Sequence, residues 1–282
     1  MEAIITAEGL KKIFGNEKAL DGIEFEIGRG EIFGLLGPSG SGKTTTIKIL
    51  TGEFEPDAGR VEILGYAHEE FGRSSYIKQL GILSDNSSLY DRLTVRDNLE
   101  LFRKLYGTDK EKVMQVLKEV GLEKHADKRV SVLSKGMKQR ILLCKAILHE
   151  PEILFLDEPT SALDPITTDR IHDMLLRIKG QGTTIMLTTH DMDEATALCD
   201  RVAFLNNGRI LEQGAPEFLR HAYKKNEVHI TMNGGRTMSI ERSTDNRTEL
   251  EEALFDSEVI DIRTDYPTLG EVFKNVTGKE LV

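Results

Sequence analysis

The sequence predicts an α/β fold: a strand–loop–helix core, an antiparallel β part before it, a helical insertion within it and a small α/β appendage after it. Three observations predict this. Gly37-Pro38-Ser39-Gly40-Ser41-Gly42-Lys43-Thr44-Thr45 stands between an apolar strand, Ile32 to Leu36, and a helix start, Thr45 to Leu50. Ile153-Leu154-Phe155-Leu156 is a continuous apolar run ending in Asp157 and Glu158, as a buried parallel strand ends. Between those two core pieces, residues 86–149 change to helical periodicity.

Taken in order, residues 1–36 read as β. Ile23, Phe25 and Ile27 alternate with Glu24 and Glu26, the pattern of a half-buried strand. Gly28-Arg29-Gly30 turns the chain into the strand that feeds the glycine loop. Residues 52–59, with Pro56, form a loop, and Val61-Glu62-Ile63 is a short strand ended by Gly65. Thr94 and Asp97 open a capped helix before Leu99, Leu101 and Phe102. Val113, Val116, Leu117 and Val120 recur at helical spacing up to Gly121, and Lys138 to Leu148 is a third helix closed by Pro151. Asp164-Pro165 caps a helix whose Ile171, Met174, Leu175 and Ile178 share a face. Thr183 to Thr189 is the next strand, and Asp191 and Glu194 start a short helix. Val202 to Leu205 and Arg209 to Leu211 flank Asn206-Asn207-Gly208, a hairpin signal. Past Pro216 the pattern weakens: two strands, Val228 to Ile230 and Met238 to Ile240, and two helices, Leu250 to Phe255 and Leu269 to Val276, suggest an accessory unit over 216–282 after a main domain over 1–215.

Composition narrows the class. The chain has 282 residues, 39% hydrophobic and 30% charged, enough for one large domain with an appendage. A formal net charge of −10 argues against general nucleic-acid binding. No apolar run approaches the length of a transmembrane helix. The start MEAIITAEGL lacks the basic and apolar regions of a signal peptide, so a cytoplasmic location is expected. Cys144 and Cys199 lie in apolar helical stretches and read as reduced, buried thiols.

The chemistry begins at residues 37–45, which fit the phosphate-loop pattern G-x-x-x-x-G-K-[ST]. The glycines let consecutive amides of Gly37, Pro38-Ser39-Gly40, Ser41 and Gly42 fold around one anion, although Pro38 itself has no N–H. The following helix start adds partial positive charge. Lys43 belongs on the β- and γ-phosphates and the Thr44 hydroxyl on Mg²⁺, with Thr45 next on the helix. Asp157 and Glu158 lie where open α/β sheets bind ligands. By itself such a pair is more often two solvated acids. Downstream of a phosphate loop, Asp157 is expected to hold Mg²⁺ and Glu158 to polarise the attacking water.

With these motifs in order, the chain resembles the ATP-binding, ATP-hydrolysing subunit of an ABC transporter over residues 3–215, which implies a P-loop NTPase core. The resemblance implies roles for further residues. Phe14 stands where an aromatic ring stacks on adenine. Leu133-Ser134-Lys135-Gly136-Met137 resembles the signature motif, with Ser134 and the Gly136 backbone contacting the γ-phosphate held by the other subunit. Ser161-Ala162-Leu163-Asp164 resembles the loop that crosses the dimer interface, and His190 the switch histidine on the γ-phosphate. Asp85 stands where the family usually has Gln, a metal ligand through water, and is one methylene shorter. The cofactors implied are ATP and Mg²⁺.

The resemblance also implies partners. A homodimer, or a heterodimer with a related ATPase, brings each phosphate loop to the other chain's signature. A separate transmembrane permease supplies the pathway and holds the subunit at the inner face of the cell membrane. Its contact is expected around Leu89 to Tyr106, with Tyr90 and Leu93 in it. Pro267-Thr268-Leu269-Gly270-Glu271-Val272-Phe273 resembles the tail of bacterial export ATPases for drugs, peptides or polysaccharides. Two alternatives are a soluble ABC-type ATPase acting on ribosomes or DNA, and a regulatory nucleotide-binding module with little hydrolysis.

Overall fold

A computed structural model describes residues 2–224, 226–263 and 266–278. Residues 264, 265 and 279–282 of the expected C-terminal unit, like Lys225, lie outside the described residues. The chain divides into two compact units, one running to Ala215 and one starting at Pro216.

The first unit opens with β1 (Ala3–Phe14) and β2 (Glu17–Gly28), an antiparallel hairpin. Ile23, Phe25 and Ile27 are buried and Glu24 and Glu26 exposed, so the period-2 pattern reports the sheet's inner face. β3 (Ile32–Leu36) leads through the glycine loop into α1 (Lys43–Leu50). β4 (Ala58–Ile63) and β5 (Tyr66–Ala67) complete a four-stranded antiparallel sheet in the order β2-β1-β4-β5. A short α2 (Ser74–Ile77) precedes β6 (Leu80–Leu83).

The helical stretch follows as α3 (Val95–Tyr106), α4 (Glu111–Glu119) and α5 (Lys135–Ile147). The Thr94 hydroxyl caps α3 by accepting from the Asp97 amide at 3.0 Å, and Gly107 ends it in the left-handed region. Val113, Val116 and Leu117 form the buried face of α4. α5 starts three residues before the apolar pattern does. Ser134, accepting from the Met137 amide at 3.2 Å, caps a first turn, Lys135-Gly136-Met137, that carries no apolar periodicity.

β7 (Ile153–Asp157), α6 (Pro165–Gly180), β8 (Thr184–Thr189), α7 (Met192–Leu198), β9 (Arg201–Asn206) and β10 (Arg209–Gly214) finish the unit. The core sheet has the order β10-β9-β3-β8-β7-β6, parallel except for β10, which folds back on β9. Ile153, Leu154, Phe155 and Leu156 are fully buried, each worth about 1.5–3 kcal/mol relative to exposure. β6 is the core strand that the sequence reading did not assign. Its four residues, with Gly81 inside, have no alternation and become a strand through pairing with β7. Cys144 sits buried in α5, whereas Cys199, also buried, follows the last residue of α7 rather than lying within it.

The second unit comprises α8 (Pro216–Ala222), β11 (Glu227–Met232), β12 (Thr237–Glu241), α9 (Arg247–Phe255), β13 (Val259–Arg263) and α10 (Leu269–Thr277). The sheet is antiparallel in the order β12-β11-β13, around Val228, Ile230 and Ile240. β13 adds a strand to the two expected. Thr268 and Glu271 form a reciprocal capping box at the start of α10. Among the described residues, no helix is long and apolar enough to cross a membrane.

His149 joins the end of the helical stretch to β6. Its Nε2 lies 2.9 Å from the Leu80 carbonyl and its ring stacks on Tyr106 at 3.9 Å between centroids. Burial lowers its proton affinity below that of an ordinary histidine, outweighing the Leu80 bond. The folded state therefore resists a proton that the unfolded chain accepts near pH 6.5. Stability to urea is expected to fall as the pH drops below that value, and His149→Gln to flatten the slope. An unchanged slope in that variant would contradict the assignment.

Candidate active site

The phosphate loop lies at the carboxyl end of β3, between the ends of β8 and β9. Gly42, at φ 114, is the residue from which α1 departs, a backbone conformation open to glycine alone. The first amides of α1, on Lys43, Thr44 and Thr45, have no acceptor within the helix and are free to bind an anion. Ser41 is buried, and its hydroxyl oxygen has no partner.

Lys43 folds over this loop. Its Nζ donates to the Gly37 carbonyl at 2.6 Å and the Pro38 carbonyl at 3.3 Å, and lies 3.6 Å from Glu158 Oε1. Burial lowers its proton affinity, while Glu158 and Asp157 act in the opposite direction. Thr44 donates to Asp157 Oδ2 at 2.8 Å, and Asp157 Oδ1 accepts from the Thr188 hydroxyl. A hydroxyl and a carboxylate in contact are hard oxygen donors. They suit Mg²⁺, which takes one or two protein oxygens and completes its shell with phosphate oxygens and water.

One cleft of about 650 Å³ is lined by Phe14, by Pro38, Ser39, Gly40, Gly42, Lys43, Thr44 and Thr45 of the loop and helix start, and by Asp85, Asp157 and Glu158. Phe14 is 45% exposed at the rim, edge-on to Phe54 at 5.5 Å. Asp85 lies within the cleft lining but is bound to Lys48 Nζ on α1 at 2.9 Å. Glu158 adopts φ 47 and lies 3.2 Å from His190 Nδ1. His190 faces an adjoining cleft of about 500 Å³ that shares Glu158 and Ser161 with the first.

Ser134 and Gly136 are not brought into the phosphate-loop cleft. Ser134 is exposed at the start of α5. Gly136 packs against the Ala162 carbonyl so closely that a Cβ there would sit 2.7 Å from the oxygen.

Lys135, named in the sequence only within the signature motif, and Gln139, which was not named, also line the cleft. Gln139 donates to the Glu158 carbonyl at 3.4 Å and the Pro159 carbonyl at 3.3 Å, joining α5 to the turn after β7. A glutamine within a helix gives no local sign of this.

Comparison with known proteins identifies the family. A family profile described as ABC transporter matches residues 20–161, from β2 through the phosphate loop to Ser161. A fluoroquinolones export ATP-binding protein of Mycobacterium tuberculosis (strain ATCC 25618 / H37Rv) is 39% identical over 270 residues, 94% of this chain and 89% of that protein. The Nod factor export ATP-binding protein I of Rhizobium sp. (strain N33) is 36% identical over 301 residues, 98% of each. Among solved structures, the dimeric post-hydrolysis state of an ATP-binding cassette bound to ADP and Pi is similar with a TM-score of 0.68 and 25% identity. It covers 75% of this chain and 98% of that one. The chain therefore belongs to the ABC transporter family, as an ATP-binding and ATP-hydrolysing subunit.

Proposed function

We propose that two copies of this chain, or one copy and a related ATPase, clamp ATP and Mg²⁺ between them, head to tail. Closure on ATP and opening after hydrolysis then drive a separate membrane permease. The observation that supports this is the separation of the two half-sites. One chain lines one cleft with the phosphate loop, Asp157 and Glu158, while Ser134 and Gly136 do not line it and Ser134 is exposed. A two-fold dimer satisfies both halves at once, and the similar cassette bound to ADP and Pi is a dimer.

In this reading Phe14 stacks on the adenine, and the loop amides, Lys43 and Thr45 hold the phosphates. Thr44, Asp157 and, through water, Asp85 hold Mg²⁺, which neutralises charge on the transferring phosphoryl group when bound. Glu158 takes a proton from the attacking water. His190 and the partner's Ser134 and Gly136 grip the γ-phosphate from opposite sides. Loss of that group on hydrolysis releases the grip. The names of the relatives, one a fluoroquinolones export and one a Nod factor export ATP-binding protein, support export; drugs, peptides or other small amphipathic substrates are the proposed cargo. Tyr90, 60% exposed, is held by Asn98, whose side-chain amide bonds the Tyr90 backbone, and the Leu93 amide donates to the Tyr90 carbonyl at 3.0 Å; the two residues form the proposed permease contact. The subunit would sit at the inner face of the membrane through that contact.

Three measurements test the assignments. Glu158→Gln is expected to slow hydrolysis by about a hundredfold or more and to leave an ATP-dependent dimer visible by sedimentation. Hydrolysis at the parental rate would remove Glu158 as the base. Lys43→Ala is expected to weaken ATP binding by about tenfold to a hundredfold in calorimetric titration; unchanged affinity would refute its role. Asp85→Ala is expected to raise the Mg²⁺ concentration for half-maximal hydrolysis by about tenfold. No change would leave Asp85 as a tether for Lys48 alone.

A further inference from the structure

Glu194 has no role in the mechanism above, yet it is 3% exposed. Its Oε1 accepts from the Thr160 hydroxyl at 2.7 Å and lies 3.4 Å from His172 Nε2. Its Oε2 is buried without a partner. A buried carboxylate only half satisfied is costly for the fold, so its one strong hydrogen bond is worth following.

That bond joins two loops of the site. Thr160 follows Glu158-Pro159 in the turn leaving β7 and directly precedes Ser161 to Asp164. Glu194 is four residues after His190, in the first turn of α7. The path from Glu194 back to His190 is held by hydrogen bonds. Asp191 Oδ1 accepts from the Asp193 and Glu194 amides at 2.9 and 3.0 Å, and the Asp191 amide donates to the Thr189 hydroxyl at 2.9 Å. The His190 side chain is 52% exposed, with Nδ1 3.2 Å from Glu158 Oε1. On the other side, the Ala162 carbonyl rests against Gly136 at the start of α5.

We infer that the Thr160–Glu194 hydrogen bond sets the seat of His190 from the loop 160–164, which makes Thr160 and Glu194 positioning residues for ATP hydrolysis. Displacement of that loop, as a partner subunit approaches, is passed through Glu194 to the capped start of α7 and so to the histidine. The inference rests on the proposed role of His190 at the γ-phosphate.

The test is a double-mutant cycle read as kcat and KM for ATP, with ADP affinity and melting temperature alongside. Thr160→Val is expected to lower kcat about tenfold, a change of about 1.4 kcal/mol in the barrier, with ADP affinity within about twofold. Thr160→Ser, which keeps the hydroxyl, is expected to restore the parental rate. In the His190→Ala background, Thr160→Val is expected to add no further loss, because its effect passes through the missing ring. Glu194→Asp, which draws the carboxylate back by one methylene, is expected to repeat the kcat loss if Thr160→Val lowers the melting temperature. Parental kcat in Thr160→Val, or a full tenfold loss on top of His190→Ala, would overturn the inference while leaving His190 in place. Parental kcat in His190→Ala alone would overturn the role of His190 and the inference with it.

Discussion

The site depends on one carboxylate. Asp157 accepts from Thr44 at the start of α1 and from Thr188 near the end of β8, while its own backbone ends β7. The phosphate loop and two strands are thereby tied at their carboxyl ends, where the α1 amides point outward. Hydrogen bonds to an ionised group are about twice as strong as neutral ones, so one residue sets the spacing of three elements. The next residue inherits that placement. Glu158 takes a left-handed backbone, a conformation that costs a non-glycine residue about 1–2 kcal/mol, and its amide is held by the Thr188 carbonyl at 3.0 Å. The turn brings its carboxylate back over Lys43.

Most of this was legible in the sequence because it is written locally. A glycine loop between a strand and a helix needs nothing distant to be recognised, and neither does an apolar run ending in two acids. Thr94, Asp164 and Asp191 cap the helices they were expected to open, since a cap is a contact across three residues. What escaped notice depends on distant partners. β6 and β13 are strands by virtue of β7 and β11. Gln139 reaches Pro159, and Glu194 reaches Thr160 across 34 residues. Asp85 was placed by its position in the chain, but only the fold shows Lys48 as its partner. Ser134, read from the sequence as part of the signature motif, caps α5, and only the fold shows that it does not line the phosphate-loop cleft.

The charge balance of the chain bears on how it handles a polyanion. With a net charge of −10, long-range attraction does not bring the nucleotide in. In the proposed reading, binding rests on backbone amides, a helix start and Lys43, which reaches over the loop. Desolvation makes the ammonium of Lys43 costly in its buried place, and Asp157 and Glu158 offset part of that cost. The carbonyls of Gly37 and Pro38 accept its hydrogen bonds. These are neutral acceptors, which phosphate oxygens, being charged, outcompete. The loop thus presents a preformed cation whose present partners are weaker than the ligand it is built for.

Glu158 stands at the point where this exchange meets the second cleft. One oxygen, Oε1, lies 3.6 Å from Lys43 Nζ and 3.2 Å from His190 Nδ1. A phosphate that draws Lys43 toward itself removes one of the two groups facing that oxygen and leaves the histidine. In the proposed reading, nucleotide binding therefore does two things with one displacement. It frees an acceptor lone pair on Glu158 for a water proton, and it leaves His190 as the neighbour whose position decides where that carboxylate points. The bond from Glu194 to Thr160 then matters because it acts on the remaining neighbour. A loop that moves with the partner subunit would adjust the base after the nucleotide is already in place, which orders the events: binding first, pairing second, hydrolysis last.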